Sequence, residues 1–127
     1  MVQAIEVLDG DQSIGNTMCY MAMFDQTPCL ILDNIELRHQ YHHNPIIRNG
    51  VFNFAKELGK KVCGKDIPVY LSPKRNDISI EDMKICMGDL MLVGNTGQDN
   101  IYLNFVNQKS IINNETRFFG KRTFLLV

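Results

Sequence analysis

The sequence predicts an α/β (α+β) domain: a mixed, mostly antiparallel sheet with two parallel central strands and flanking helices. Three observations predict it. Residues 29–37 begin with four consecutive apolar side chains, Cys29, Leu30, Ile31 and Leu32, and continue with Ile35 and Leu37 on alternate positions, the pattern of a central strand covered on both faces. Asn44-Pro45 then opens an amphipathic helix running to Lys61; the Asn side chain can accept from an orphan amide, and Pro at the first helical position lacks only a donor that would go unpaired. An apolar stretch over residues 67–72 follows, and a right-handed crossover through a helix makes the two strands parallel neighbours.

Taken in order, residues 4–8 (AIEVL) alternate as a short strand and stop at the turn Asp9-Gly10-Asp11. Residues 17–24 (TMCYMAMF) form a second strand, and Asp25-Gln26-Thr27-Pro28 is a tight connection that pairs it antiparallel with the central strand. In the helix, Ile47, Val51, Phe54, Leu58 and Val62 make one apolar face, with Ile46, Gly50 and Ala55 beside them. Arg48, Asn49, Asn53, Lys56, Glu57, Lys60 and Lys61 fall opposite, the last turn is basic as the macrodipole favours, and Gly59 and Gly64 are candidate stops. Pro68 is tolerated at the start of the strand over 67–72. Ser79-x-x-Asp82 resembles a capping box, and Ile80, Met83 and Met87 predict a short helix that Gly88 ends. Strands over 90–93, 101–106 and 123–127 complete the sheet.

A chain of 127 residues holds one core, so residues 1–127 read as a single domain. Its 45% apolar and 21% charged residues are those of a soluble protein, and with no long apolar run or signal-peptide pattern the expected location is cytoplasmic, away from membranes. A net charge of -1, with short basic pairs at Lys60-Lys61 and Lys74-Arg75, gives no footprint for nucleic acid. The four cysteines lie far apart without a CxxC and read as reduced core residues.

Among candidate sites, His39, His42 and His43 lie just past the central strand, but HxxHH lacks a third ligand nearby, and no metal is expected. Asp33 on an otherwise apolar strand face requires a partner that the sequence does not name. Ser72-Pro73-Lys74-Arg75-Asn76 reads as a turn, or as the holder of a cofactor tail. No Ser/His/Asp, Cys/His or P-loop pattern is present.

Over roughly residues 15–106 the order of elements resembles the central and C-terminal part of the GNAT superfamily of N-acetyltransferases. Ile35-Glu36-Leu37 with Gln40-Tyr41-His42 is similar to the end of the family's fourth strand, and residues 42–47 occupy the place of its loop Arg/Gln-x-x-Gly-x-Gly/Ala. Phe54-Ala55-Lys56 fits the helix after that loop, Asn76 the family's Asn after the fifth strand, and residues 87–94 the run from a short helix into a strand. Pro45 and Ile47 stand where the family has Gly, His42 where Arg or Gln is usual, and Met83-Lys84-Ile85 where many members carry a general-acid Tyr.

The resemblance implies acetyl-coenzyme A (acetyl-CoA) as cofactor, lying between the two parallel strands with its pyrophosphate at a helix N-terminus. It implies Leu37, His42, His43, Asn44, Ile46, Ile47, Arg48 and Asn76 as cofactor-binding residues. Glu36, a carboxylate on the central strand, is then the best available base toward an amine, or else points to solvent or caps a neighbouring amide. The acceptor would be an amine on a small molecule or a protein. The departures from the loop pattern imply the alternative, a non-catalytic binding or structural module that has lost the cofactor site. Family members begin with a strand and two helices that have no counterpart before Thr17, so the chain is expected to form a homodimer through its open edge or to contact a missing N-terminal segment.

Overall fold

Alternation of apolar and polar residues folds the first part of the chain into an antiparallel meander of β1 (Val2–Asp9), β2 (Gln12–Phe24) and β3 (Thr27–Leu37). The structure, a computed structural model, describes residues 2–94, 108–112 and 115–127; the strand expected over 101–106 lies outside them. Asp25 and Gln26, with φ of 48° and 66°, make the two-residue turn between β2 and β3, the paired positive φ values that match strand twist.

One irregularity in β3 shapes everything that follows. Its register against β2 passes from Met18↔Asp33 to Asn16↔Glu36, so β3 carries one extra residue, and Asn34 sits there with φ 49°. The bulge resets the side-chain phase. Leu30, Leu32, Ile35 and Leu37 pack in one core, while Cys29 and Ile31 pack in a second on the opposite face. Asp33 and Glu36 are three apart in sequence, yet they oppose Met18 and Asn16, which are two apart, and so share that opposite face.

The helix α1 (Pro45–Cys63) is capped by Asn44 and ends at Gly64, whose φ of 72° lets its N–H reach the Lys60 carbonyl at 2.8 Å. It buries Val51, Phe52, Ala55 and Gly59. The expected stripe through Phe54 and Val62 is corrected: these side chains are 54% and 46% exposed. Phe54 lies about 100° round the helix from Ala55, on the flank. Gly59 takes the close contact instead, since a Cβ there would stand 3.0 Å from Ile67 and 3.9 Å from Leu30.

After α1, the short β4 (Val69–Leu71) pairs parallel with β3 through Leu30↔Val69 and Leu32↔Leu71. The chain then forms β5 (Lys84–Gly94), β6 (Gln108–Ile112) and β7 (Glu115–Leu126). The last pairs antiparallel with β4, β5 and β6. Strand order runs β1-β2-β3-β4-β7-β5, and β5 returns to β2 through Met23↔Met91 and Phe24↔Leu90, closing a ring of five strands. Tyr20, Ala22, Phe24, Ile31, Leu90 and Phe124 fill the ring; the Phe24 ring centroid lies 4.8 Å from Tyr70 and 5.5 Å from Phe124. The described residues thus form a mixed α+β fold with a mostly antiparallel sheet and one α-helix, and no described helix is long and apolar enough to cross a membrane.

The second helix, expected from Ile80 to Met87, is instead a turn, closed by Met83 N–H donating to the Ile80 carbonyl at 3.1 Å, followed by β5. From there the period is two: Ile85 and Met87 are exposed, Cys86 and Leu90 face the ring interior. Gly88 is no helix stop. A Cβ on it would lie 2.5 Å from the Asp25 carboxylate, which accepts from Asp89 N–H at 2.7 Å while Asp25 N–H donates to the Asp89 carbonyl at 2.9 Å. This latch fastens the β2–β3 turn to β5, at the seam of the ring.

Candidate functional site

The residues that the sequence grouped around the end of β3 do come together, but they hold one another. Asn44 Oδ1 accepts from Ile46 and Ile47 N–H at 2.9 and 3.3 Å, and Arg48 N–H donates to the Asn44 carbonyl at 3.1 Å. These bonds satisfy the orphan donors of the first helical turn. Past Leu32 and Leu71, where β3 and β4 separate, the loop after β4 fills the opening. Asn76 accepts from Ile35 N–H at 2.9 Å through Oδ1 and donates to the Ser72 carbonyl at 2.6 Å through Nδ2. Asp77 Oδ2 accepts from Leu37 N–H at 2.8 Å, and Asp77 N–H returns a bond to the Ile35 carbonyl at 2.8 Å.

The histidines and Arg48 belong to the same clasp. His42 Nε2 lies 2.9 Å from the Leu37 carbonyl and 3.3 Å from Asp77 Oδ2, both acceptors, which assigns the ring hydrogen to Nε2. His43 N–H donates to the Asp77 carbonyl at 2.8 Å. Arg48 pairs with Asp82 at 3.0 Å, and its hydrogen bond holds the Asp82 carboxyl below the ordinary carboxylate value. Ile46 points outward, 80% exposed, and Glu36 is exposed on the far face of β3. An acyl-CoA pyrophosphate and its pantetheine arm need free amides at the helix start and along the strand. Here the amides of Ile35, Leu37, Ile46, Ile47 and Arg48 are all engaged, so these residues do not fit that group. Among the described residues no cluster of three or more His, Cys, Asp or Glu side chains is arranged to hold a metal.

A second site lies on the other side of β4. That strand is three residues long, while β3 and β7 on either side have eleven and twelve. Where β4 stops, its neighbours stand apart around a cleft of about 650 Å³, floored by Asp33 and Asn34 and bordered by Lys74, Arg75, Lys121 and Arg122. Val127 N–H donates to the Val69 carbonyl at 2.9 Å, and the β7 register against β5 is unbroken from Thr116 to Leu126. By strand alternation, the backbones of Lys121 and Thr123 therefore turn toward the cleft.

Asp33 is the unusual group there. Burial, and secondarily the Glu36 carboxylate that the bulge brings to the same face, raise its pKa from 3.8 to about 6. Its Oδ1 is shut off from solvent and meets no donor among the described residues, as is Asn34 Oδ1.

Sequence reasoning reached Asp33 and the turn from Ser72 to Asn76, but missed Asp77, Lys121 and Arg122. Asp77 had a signal, since an Asn-Asp pair after a strand is suited to bonding nearby backbone. Lys121 and Arg122 had none, because only the pairing of β7 with β4 brings them here. Set against known protein families, curated proteins and solved structures, the chain matches none.

Proposed function

We propose that this chain is a non-catalytic binding module of acetyltransferase-like layout, in which the place of the cofactor is taken up by the chain's own hydrogen bonds. One observation carries the reading: the backbone donors that would receive acetyl-CoA at the end of β3 and the start of α1 are bonded to Asn44, Asn76 and Asp77. Opening that clasp would give up the part-buried bonds of Ile35 and Leu37 N–H and the cap bonds of Ile46 and Ile47 N–H, at roughly 1 kcal/mol each. The layout is supported by the bulged β3, the helix that follows it and the parallel β4. The same reading includes a cytoplasmic location, a small-molecule or protein ligand, and neither nucleic acid nor membrane as partner. It also includes a homodimer through β1, which pairs with β2 alone among the described residues; light scattering across a dilution series checks that part.

The experiment is calorimetric titration with acetyl-CoA, combined with a thiol-release assay against a panel of amines. The reading expects no thiol release above the uncatalysed rate and no saturable heat that survives substitution of the basic cleft residues. Thiol release that Glu36→Gln abolishes would overturn it and restore acetyl transfer to an amine, with Glu36 as the base.

A further inference from the structure

We propose that the cleft between β3 and β7 binds the phosphate monoester of a polyol, with the phosphate at the basic rim and ligand hydroxyls at Asp33 and Asn34. The inference deepens the reading of the chain as a binding module by naming its ligand class. It rests on that reading only in that the ligand is not acyl-CoA.

Size is the first argument. A space of about 650 Å³ suits a small molecule. Its lining comes from β3, from the turn from Ser72 to Arg75 and from β7. Charge is the second. The chain as a whole carries a net charge of -1, so basic residues are not in general excess. Even so, Lys74 and Arg75 from the turn and Lys121 and Arg122 from β7 border this one opening. Cations from two separate elements suit a compact group of more than one negative charge, and Arg offers a phosphate paired donors.

Polar complementarity is the third. Beside its cations the cleft is lined by the Asp33 carboxylate and the Asn34 amide, both polar groups that a hydroxyl can meet. A purely anionic ligand would be repelled by the Asp33 carboxylate, and a purely cationic one by the rim. Hydroxyls on the same molecule as the phosphate answer both, donating to the floor while the anion stays at the rim. Strand alternation is what makes this possible. It puts Asp33 on the face of β3 that carries Cys29 and Ile31, away from the helix-side core, where it lines the gap that the early end of β4 creates.

The test uses the full chain, with ribose 5-phosphate, inorganic phosphate and ribose as probes, followed by calorimetry and by amide shifts in NMR. Ribose 5-phosphate should bind about tenfold more tightly than inorganic phosphate, and ribose alone should not saturate. Lys74 and Lys121 are exposed, so Lys74→Ala and Lys121→Ala leave the fold intact; each should weaken both phosphate probes about fivefold or more. Asp33→Asn should leave phosphate binding in place and shrink the advantage of ribose 5-phosphate. Equal, weak binding of phosphate and ribose 5-phosphate, untouched by the two Lys substitutions, would mean an adventitious ion only and overturn the proposal. So would Lys-dependent binding of an acidic peptide or single-stranded nucleic acid in preference to ribose 5-phosphate. The two readings fail separately. Acetyl-CoA binding that persists in Lys74→Ala sinks the module reading, whereas the ribose 5-phosphate series decides the cleft by itself.

Discussion

Replacing Asp33 by Asn should stabilise this protein at neutral pH and do nothing for it in acid. In the folded chain, burial and then the neighbouring Glu36 carboxylate lift the Asp33 pKa from 3.8 to about 6. An acid whose pKa is raised by folding binds its proton more tightly in the folded state, so folding loses stability as pH rises. Below about 3.8 both states are protonated and there is no penalty; the penalty grows as pH rises and is complete above about 6. At face value the rise corresponds to about 3 kcal/mol. Because the side chain is only partly buried, solvent screens this, and we expect about 1–2 kcal/mol. Asparagine keeps the shape and carries no charge, so it removes the penalty. The assay is urea unfolding of both proteins from about pH 4 to pH 8. The variant should be more stable by about 1–2 kcal/mol at the upper end, with the difference shrinking toward zero at the lower. Glu36→Gln should reproduce a smaller part of the gain, since Glu36 is the lesser cause. A difference that is constant across the series, or an Asn variant less stable at neutral pH, would refute the reasoning and mean that the Asp33 carboxylate is satisfied in the folded chain.

The other predictions concern the bonds that hold the fold. Asn44→Ala removes the acceptor of Ile46 and Ile47 N–H and should cost about 1 kcal/mol in thermal or urea unfolding. Asn76→Ala unfastens Ile35 N–H and the Ser72 carbonyl and should cost about 1–3 kcal/mol, with faster hydrogen exchange at Ile35 as the direct sign. Gly88→Ala drives a methyl into the Asp25 carboxylate and should cost about 1–3 kcal/mol; Asp25→Ala in the same chain should recover part of that loss, because it removes the atoms that clash.

The first hairpins and the helix were legible because local chemistry decides them. Asn44-Pro45 and Gly64 carry cap chemistry in their own side chains and backbone, and the alternation through β2 and β3 requires no partner to be recognised. The segment from Ile80 to Met87 was not, because its spacing suits a short helix while its structure is set by pairing with β7 along the whole of β5. Which helix residues face the sheet depended on where α1 crosses it, a tertiary fact that put Gly59 inside and Phe54 outside. The candidate site divides in the same way. Asp33 stood out as a carboxylate in an apolar strand, but the bulge at Asn34 that pairs it with Glu36 is visible only in the register. The basic rim joins Lys74 to Lys121 across a pairing that no local pattern encodes.

Amide mapping by NMR during titration with acetyl-CoA tests the central claim most directly, because it observes the groups in question one by one. If the clasp is closed, the amides of Ile35, Leu37, Ile46, Ile47 and Arg48, already bonded within the chain, keep their shifts and their exchange protection at saturating ligand. Any response is then confined to residues around the cleft, such as Asn34, Lys74 and Thr123. Concerted shifts of those five amides, with loss of the Asn44, Asn76 and Asp77 bonds, would contradict it and show that the cofactor site opens to its ligand.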